Sequence, residues 1–311
     1  MNPKPFWLPV LAGLLSAALS HAAFPQNPPS AGNPVNIVVT AVSPHGGEVP
    51  TLNREDVMVY EGRDRDTVTD WAPAQGEHAG LELFFLIDDN ASTSLGSQLD
   101  DIRQFIRAQP QTTAVGIAYM QDGMARVVQN LTNDHEQVTK ALRLPMGGAT
   151  INASPYFSLS DLIKRWPQDT ARHEVVMVSD GTDRFWGSGP DDPYVDTAVE
   201  DAQRAGVIVY AIYTPGSGYR VSYWRYWWGQ NYLSRVADET GGEGYYIGFT
   251  GTSVSFEPFL DDVGNRLQHQ YWLGFLPKSQ KKAGFQKIKL NTEVPHVHLV
   301  AQDRVYVPTT Q

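Results

Sequence analysis

Between Leu81 and Leu267, nearly continuous apolar runs alternate with segments of helical period. No other feature of this 311-residue chain restricts its fold as strongly. Leu81–Asp88 (LELFFLID), Ala114–Met120 (AVGIAYM), Glu174–Ser179 (EVVMVS) and Val207–Tyr213 (VIVYAIY) read as strands buried on both faces. Between and after them, four sets of apolar residues mark single helix faces. These are Leu99/Ile102/Phe105/Ile106, Leu159/Leu162/Ile163/Trp166, Val195/Ala198/Val199/Ala202 and Phe256/Phe259/Leu260/Val263/Leu267. Asp122-Gly123 is a hairpin signal leading into a short strand, Ala125–Leu131. Leu233, Val236 and Ala237 mark a further helix that Gly241-Gly242 ends, and Tyr245–Ile247 is a short strand. Strand–helix alternation of this kind predicts an α/β fold, a doubly wound, mostly parallel, Rossmann-like sheet with helices on both faces.

The flanks carry no helical period. Val35–Val42, Asp56–Tyr60 and Thr67–Trp71 precede the core, with turn signals at His45-Gly46-Gly47 and Glu61-Gly62-Arg63. Gln270–Leu276, Gln286–Thr292, His298–Ala301 and Arg304–Val307 follow it. Sheets this small are unstable alone. Residues 35–76 and 270–308 are therefore expected to form one discontinuous, β-sandwich-like domain, with the α/β domain (80–269) inserted between its halves. At the N-terminus, Lys4, the apolar stretch Phe6–Leu19 and Ser20-His21-Ala22 have the order of a secretory signal. Residues 1–22 are expected to be removed before Ala23, leaving a lead-in (23–34) and a secreted or periplasmic protein. No later stretch approaches the length of a membrane-spanning helix, so the mature chain should not cross a membrane.

The chain has no Cys, which excludes disulfides, thiolate metal sites and Cys nucleophiles. Its 24 Lys+Arg against 34 Asp+Glu give −10, the opposite of a nucleic-acid-binding footprint. In open α/β sheets, ligands collect at the carboxyl ends of the strands. The first buried strand is followed there by Asp88-Asp89-Asn90-Ala91-Ser92, and the Glu174–Ser179 strand by Asp180-Gly181-Thr182-Asp183. Gly147-Gly148-Ala149-Thr150 lies between them in sequence. Carboxylate, amide and hydroxyl oxygens suit Mg²⁺, Mn²⁺ or Ca²⁺. Asp88 and Ser92 would equally turn the chain and cap the next helix.

Asp-x-Asn-x-Ser after an apolar strand, a Gly-Gly-x-Thr loop and a later Ser-Asp-Gly together resemble a von Willebrand factor A (VWA) domain, over about Gly80–His269. The Ala237–Gly242 string resembles that family's last helix-to-strand passage. Leu52–Gly62 and Asp303–Val307 resemble the flanks of a group of exported bacterial A-related proteins. The resemblance implies a metal-ion-dependent adhesion site (MIDAS) built from Asp88, Asn90, Ser92, Thr150 and Asp180, with Mg²⁺ as the first choice of ion. Asn90 stands where the family has Ser, and its NH₂ cannot ligate. Asn90 is expected either to weaken metal binding or to be compensated by Asp89, and Ser154 competes with Thr150 as the loop hydroxyl.

Tyr219–Tyr232 (YRVSYWRYWWGQNY) is unusually aromatic and follows a core strand. It is expected to form a loop at the same sheet edge, with Trp224, Tyr226, Trp227 and Trp228 offered to a partner, a glycan included, or folded back over the domain. His296 and His298 would share one face of a strand. No Gly-x-Ser-x-Gly elbow or phosphate-binding Gly-x-x-x-x-Gly-Lys-Ser/Thr loop is present. The expected function is therefore an exported binding module, not an enzyme, that captures an acidic side chain of a protein partner through a divalent cation. The alternatives are an envelope structural or assembly protein with a degenerate metal site, and a metal-assisted hydrolase using Asp89 or Asp183 as base.

Overall fold

The computed structural model describes residues 34–44, 47–147, 154–167, 169–186, 191–216, 223–246, 254–277 and 283–307. The signal segment, the lead-in up to residue 33, the turn at 45–46 and Thr150 lie outside them. The described residues belong to one compact unit.

In the N-terminal flank the strands are β1 (Val35–Val42), β2 (Val57–Glu61), β3 (Asp64–Arg65) and β4 (Thr67–Pro73). The α/β core runs β5 (Leu81–Asp88), α1 (Leu99–Ala108), β6 (Thr113–Gln121), β7 (Met124–Thr132), α2 (His135–Ala141), α3 (Pro155–Arg165) and β8 (Arg172–Ser179). It continues through α4 (Pro193–Ala205), β9 (Val207–Tyr213), α5 (Tyr223–Thr240), β10 (Gly244–Tyr245) and α6 (Glu257–Gln268). The C-terminal flank adds β11 (Gln270–Leu276), β12 (Gly284–Thr292), β13 (His298–Val300) and β14 (Arg304–Val307).

The central sheet has the order β10-β9-β8-β5-β6-β7. It is parallel except for β7, which returns antiparallel through the Asp122-Gly123 turn. Both turn residues have positive φ, as a tight hairpin requires. β5 and β8 are buried along nearly their whole length because both sheet faces are covered. Leu83, Phe85 and Ile87 pack with Ile102 and Ile106 of α1 and Leu260 and Val263 of α6. On the opposite face, Phe84 and Leu86 meet side chains of α3, α4 and α5, among them Leu159, Val199 and Leu233. Each such fully buried side chain contributes roughly 1.5–3 kcal/mol relative to exposure. The doubly wound reading therefore holds.

The flanks make two four-stranded sheets, β13-β1-β11-β4 and β14-β12-β2-β3, each mixing N- and C-terminal strands. Val39, Val57, Val59, Leu273, Phe275 and Val305 share one core, in a sandwich-like arrangement. Arg172 clasps this part to the central sheet. Its Nη1 donates to the Leu267 carbonyl at 3.0 Å and to the Gln270 side chain.

Two local expectations are corrected, and one helix appears that the sequence did not signal. The aromatic run is not a loop from Tyr223 onward: Tyr223–Tyr232 is the first half of α5. α2 had no sequence signal, because Val138 is its one buried aliphatic residue; Asp134 caps it by accepting the Gln137 N–H at 3.0 Å. His296 lies outside β13, at φ 60, so it does not share a strand face with His298.

Candidate metal-binding site at the carboxyl edge

The parallel register carries the ends of β5 and β8 to one edge, with Ile87 opposite Val178. Asp88 closes β5 and is 1% exposed; Asp180 follows β8 and is 5% exposed. One Asp88 oxygen accepts the Asn90 backbone N–H at 2.8 Å, and the other accepts the Ser179 hydroxyl at 2.8 Å. Ser179 Oγ in turn accepts the Gly181 N–H at 3.0 Å. Asp180 Oδ1 accepts the Thr182 N–H at 2.8 Å, which tightens the turn after β8.

A third loop, after β9, closes over these two. Ser92 N–H donates to the Pro215 carbonyl at 2.9 Å, and Ala91 bridges to Gly216. A Cβ on Gly216 would lie 2.2 Å from Asp180 Oδ2, so a larger residue there would push the carboxylate aside. α5 presses from the side. A Cβ on Gly229 would lie 2.2 Å from the Asp180 carbonyl oxygen, and Gly181 has φ +67 directly beneath it.

Burial first, and the Asp180 charge second, push the Asp88 carboxyl up to about 7; the Asn90 N–H, the Ser179 hydroxyl and the Arg184 charge pull the other way. The Asp180 charge disfavours the ionised form of Asp88, and a cation held among oxygen donors would relieve that conflict. Those present fit a hard divalent ion: Asp88, Asp180, the buried Asn90 and Ser92. Thr182 Oγ1 is also buried here without a hydrogen-bond partner among the described residues. Ser92 is less ready, because its Oγ accepts both the N–H and the hydroxyl of Ser94, at 3.2 and 2.9 Å. It caps the turn that follows, and would exchange the Ser94 hydroxyl for an ion.

Several candidates are committed elsewhere. Asp89 is fully buried and paired with Arg143 at 2.6 and 2.9 Å, and it accepts the Met146 N–H at 2.8 Å and a Gln121 donor. Despite the cost of burial, these partners hold its carboxyl below the usual range. It therefore does not compensate for Asn90. Ser154 donates to Asp183 Oδ2 at 2.6 Å and caps α3 at the Phe157 N–H. Asp183 Oδ1 accepts the N–H groups of Phe185 and Trp186 at 2.7 and 3.2 Å. Neither Asp89 nor Asp183 is placed as a free general base. Of the aromatic residues, Trp227 is 49% exposed, whereas Trp228 is half-buried and stacks on Tyr232 at 6.1 Å. The side chains of Trp224 and Tyr226 lie outside the described residues.

The structure also brings together residues that sequence reasoning passed over. Phe157, Phe185, Trp186 and Tyr194 form an exposed ring cluster beside the Asp183 turn. The Phe185-Trp186 pair, five residues after Asp180, was the available signal. Near the opposite, amino end of the sheet, Glu82, Asp169 and His173 converge. His173 Nε2 lies 3.0 Å from Asp169 and 3.5 Å from Glu82, and Trp166 stacks on its ring at 4.9 Å.

No family model matches the sequence, and no curated protein matches it. Solved structures do. One is an aerotolerance-related membrane protein from Bacteroides fragilis, 13% identical over 60% of this chain and 98% of that one, with a TM-score of 0.42. Another is the VWA domain of SpRpn10, 13% identical over 58% of this chain and 94% of that one, with a TM-score of 0.40. The α/β part is a doubly wound, mostly parallel six-stranded sheet with helices on both faces. Among the described residues, no helix is long and apolar enough to cross a membrane.

Proposed function

We propose that this chain is an exported, non-enzymatic binding module that holds a divalent cation, Mg²⁺ first, and captures a protein partner through it. The observation that carries the reading is the pair of buried carboxyls, Asp88 and Asp180, set under the glycine backbone at Gly216. Asp88, Asp180 and Ser92, with Asn90 and Thr150 assisting, would hold the ion. When bound, the ion supplies an open Lewis-acid position for an acidic side chain of the partner. Ser179 and the Asn90 N–H orient Asp88; the Thr182 N–H orients Asp180. Export rests on the signal-like segment 1–22. Calorimetric titration of Mg²⁺, Mn²⁺ and Ca²⁺ into the wild type and Asp180→Ala tests the site. Binding by the wild type alone is expected; no binding of any ion ends the reading.

A second reading, an envelope assembly protein with a degenerate site, draws on Asn90 and on the hold of Ser94 over Ser92. It expects partner capture from native envelope to be equal with and without EDTA.

A further inference from the structure

We propose that Glu82, Asp169 and His173, at the amino end of the central sheet, form a second metal site. It takes a first-row divalent ion that favours imidazole, Zn²⁺ first, and discriminates against Mg²⁺. It shares no residue with the carboxyl-edge site and does not depend on that reading.

Topology builds the trio. β5 and β8 are parallel neighbours with Glu82 opposite His173, so both side chains leave the same face of the sheet. Asp169 stands in the short connection from α3 to β8, four residues before His173. A donor atom from each of the three lies within 4.8 Å of the other two. His173 Nε2 is 3.0 Å from Asp169 Oδ1 and 3.5 Å from Glu82 Oε2. A four-coordinate Zn²⁺ with bonds of about 2.0–2.1 Å sets its donors roughly 3.3–3.4 Å apart, a spacing that these two separations bracket.

The imidazole separates this trio from a cluster of surface acids. The His173 side chain is 4% exposed, and its Nε2 is aimed into the space between the two carboxylates. An Nε2–H donates well to Asp169 alone. In the other tautomer the Nε2 lone pair faces the same space, and a cation there would bind all three donors. Imidazole combined with carboxylate suits Zn²⁺ and its neighbours better than Mg²⁺.

Each donor is also oriented by a partner outside the trio. Trp166 stacks on the His173 ring at 4.9 Å and 25°, and its Nε1–H donates to Glu82. The Ala171 N–H donates to Asp169 at 2.8 Å. Nearby basic side chains are turned elsewhere. Lys164 and Arg165 pair with Asp201 and Asp161, and Arg172 donates to the Leu267 carbonyl and the Gln270 side chain. Among the described residues, no Lys or Arg pairs with Glu82 or Asp169. The Asp169 side chain is 45% exposed, so water or an outside donor can take the fourth position.

The test is calorimetric titration of ZnCl₂ into the untagged chain in excess Mg²⁺, with Asp169→Asn, Glu82→Gln and His173→Gln alongside. The first two variants keep an oxygen for the Ala171 and Trp166 N–H groups. Wild type is expected to bind one Zn²⁺ with a Kd of roughly 1 μM or below, and each variant to bind it roughly tenfold or more weakly. Asp169→Asn, in a partly exposed connection, reads the site even if His173→Gln unfolds the chain. Co²⁺ in place of Zn²⁺ should show the strong visible absorption of a four-coordinate ion, lost in the same variants. No Zn²⁺ binding, displacement of Zn²⁺ by Mg²⁺, or binding unchanged in Asp169→Asn and Glu82→Gln overturns the proposal. The trio would then be an ion-paired tie between the α3–β8 connection and the sheet. None of these results bears on the Asp88/Asp180 site, which the Mg²⁺ titration of Asp180→Ala decides.

Discussion

Replacing Asp180 with Asn removes one of two carboxylates buried together, yet leaves an amide oxygen to accept the Thr182 N–H. The Asp88 carboxyl stands at about 7 in the folded protein against an ordinary 3.8, from burial first and from the Asp180 charge second. A raised carboxyl means that the folded state keeps a proton the unfolded chain releases. Without a cation, stability therefore falls as pH rises from about 4 to about 7, and is level above that. At 1.36 kcal/mol per pH unit, that interval is worth about 4 kcal/mol. Asp180→Asn relieves the smaller of the two causes, so the variant should gain about 1–2 kcal/mol in EDTA near pH 8, a rise in Tm of a few degrees. It should also lose stabilisation by Mg²⁺. In the wild type, Mg²⁺ must displace the Asp88 proton, so its stabilising effect should be larger near pH 8 than near pH 5. Thermal and urea denaturation in EDTA and in MgCl₂ at both pH values measures all of this. A variant less stable than wild type in EDTA near pH 8, or a wild-type Mg²⁺ effect equal at both pH values, would refute the reasoning.

Gly229→Ala drives a Cβ toward the Asp180 carbonyl, so α5 or the turn must move; a loss of about 2 kcal/mol in urea denaturation is expected. Cation binding should weaken with it, and an unchanged urea midpoint would show that α5 does not press on the site. Arg143→Met leaves Asp89 buried without its counter-charge and should lose about 2 kcal/mol near neutral pH, a figure discounted for the partial exposure of Arg143. Because Asp89 is held below its usual range, its stabilisation is present above the unfolded pKa and lost as pH falls through the folded value. Wild-type and Arg143→Met urea curves should therefore converge in acid, and a constant gap would contradict that assignment. Ser154→Ala removes the α3 cap and the Asp183 partner together, and should lower stability by about 1–2 kcal/mol with cation binding intact. Lost cation binding in that variant would instead make Ser154 part of the site.

The strands were most legible where both faces are buried. β5 and β11 begin and end where their apolar runs do, because an unbroken apolar stretch has few other low-energy fates. The β6–β7 turn was legible for a local reason as well, since Asp-Gly accepts positive φ at little cost. α2 was not, for it starts at the Asp134 cap and buries His135, Val138 and Thr139 rather than an apolar stripe. The start of α5 was hidden because a run of rings has no polar face to show a period. Its inner side is set by the packing of Trp228 and Tyr232 against the core.

By itself, the sequence determined the α/β alternation, the edge on which ligands would gather and the oxygen-only character of what could gather there. Tertiary structure alone decided which oxygens are available. Asp88 and Asp89 are chemically identical neighbours, yet Asp89 is claimed by Arg143, 54 residues away, while Asp88 is left facing Asp180. Periodicity is a property of nearby residues and is written in their order. A carboxylate's partner is set by where the folded backbone returns, and no local pattern encodes that.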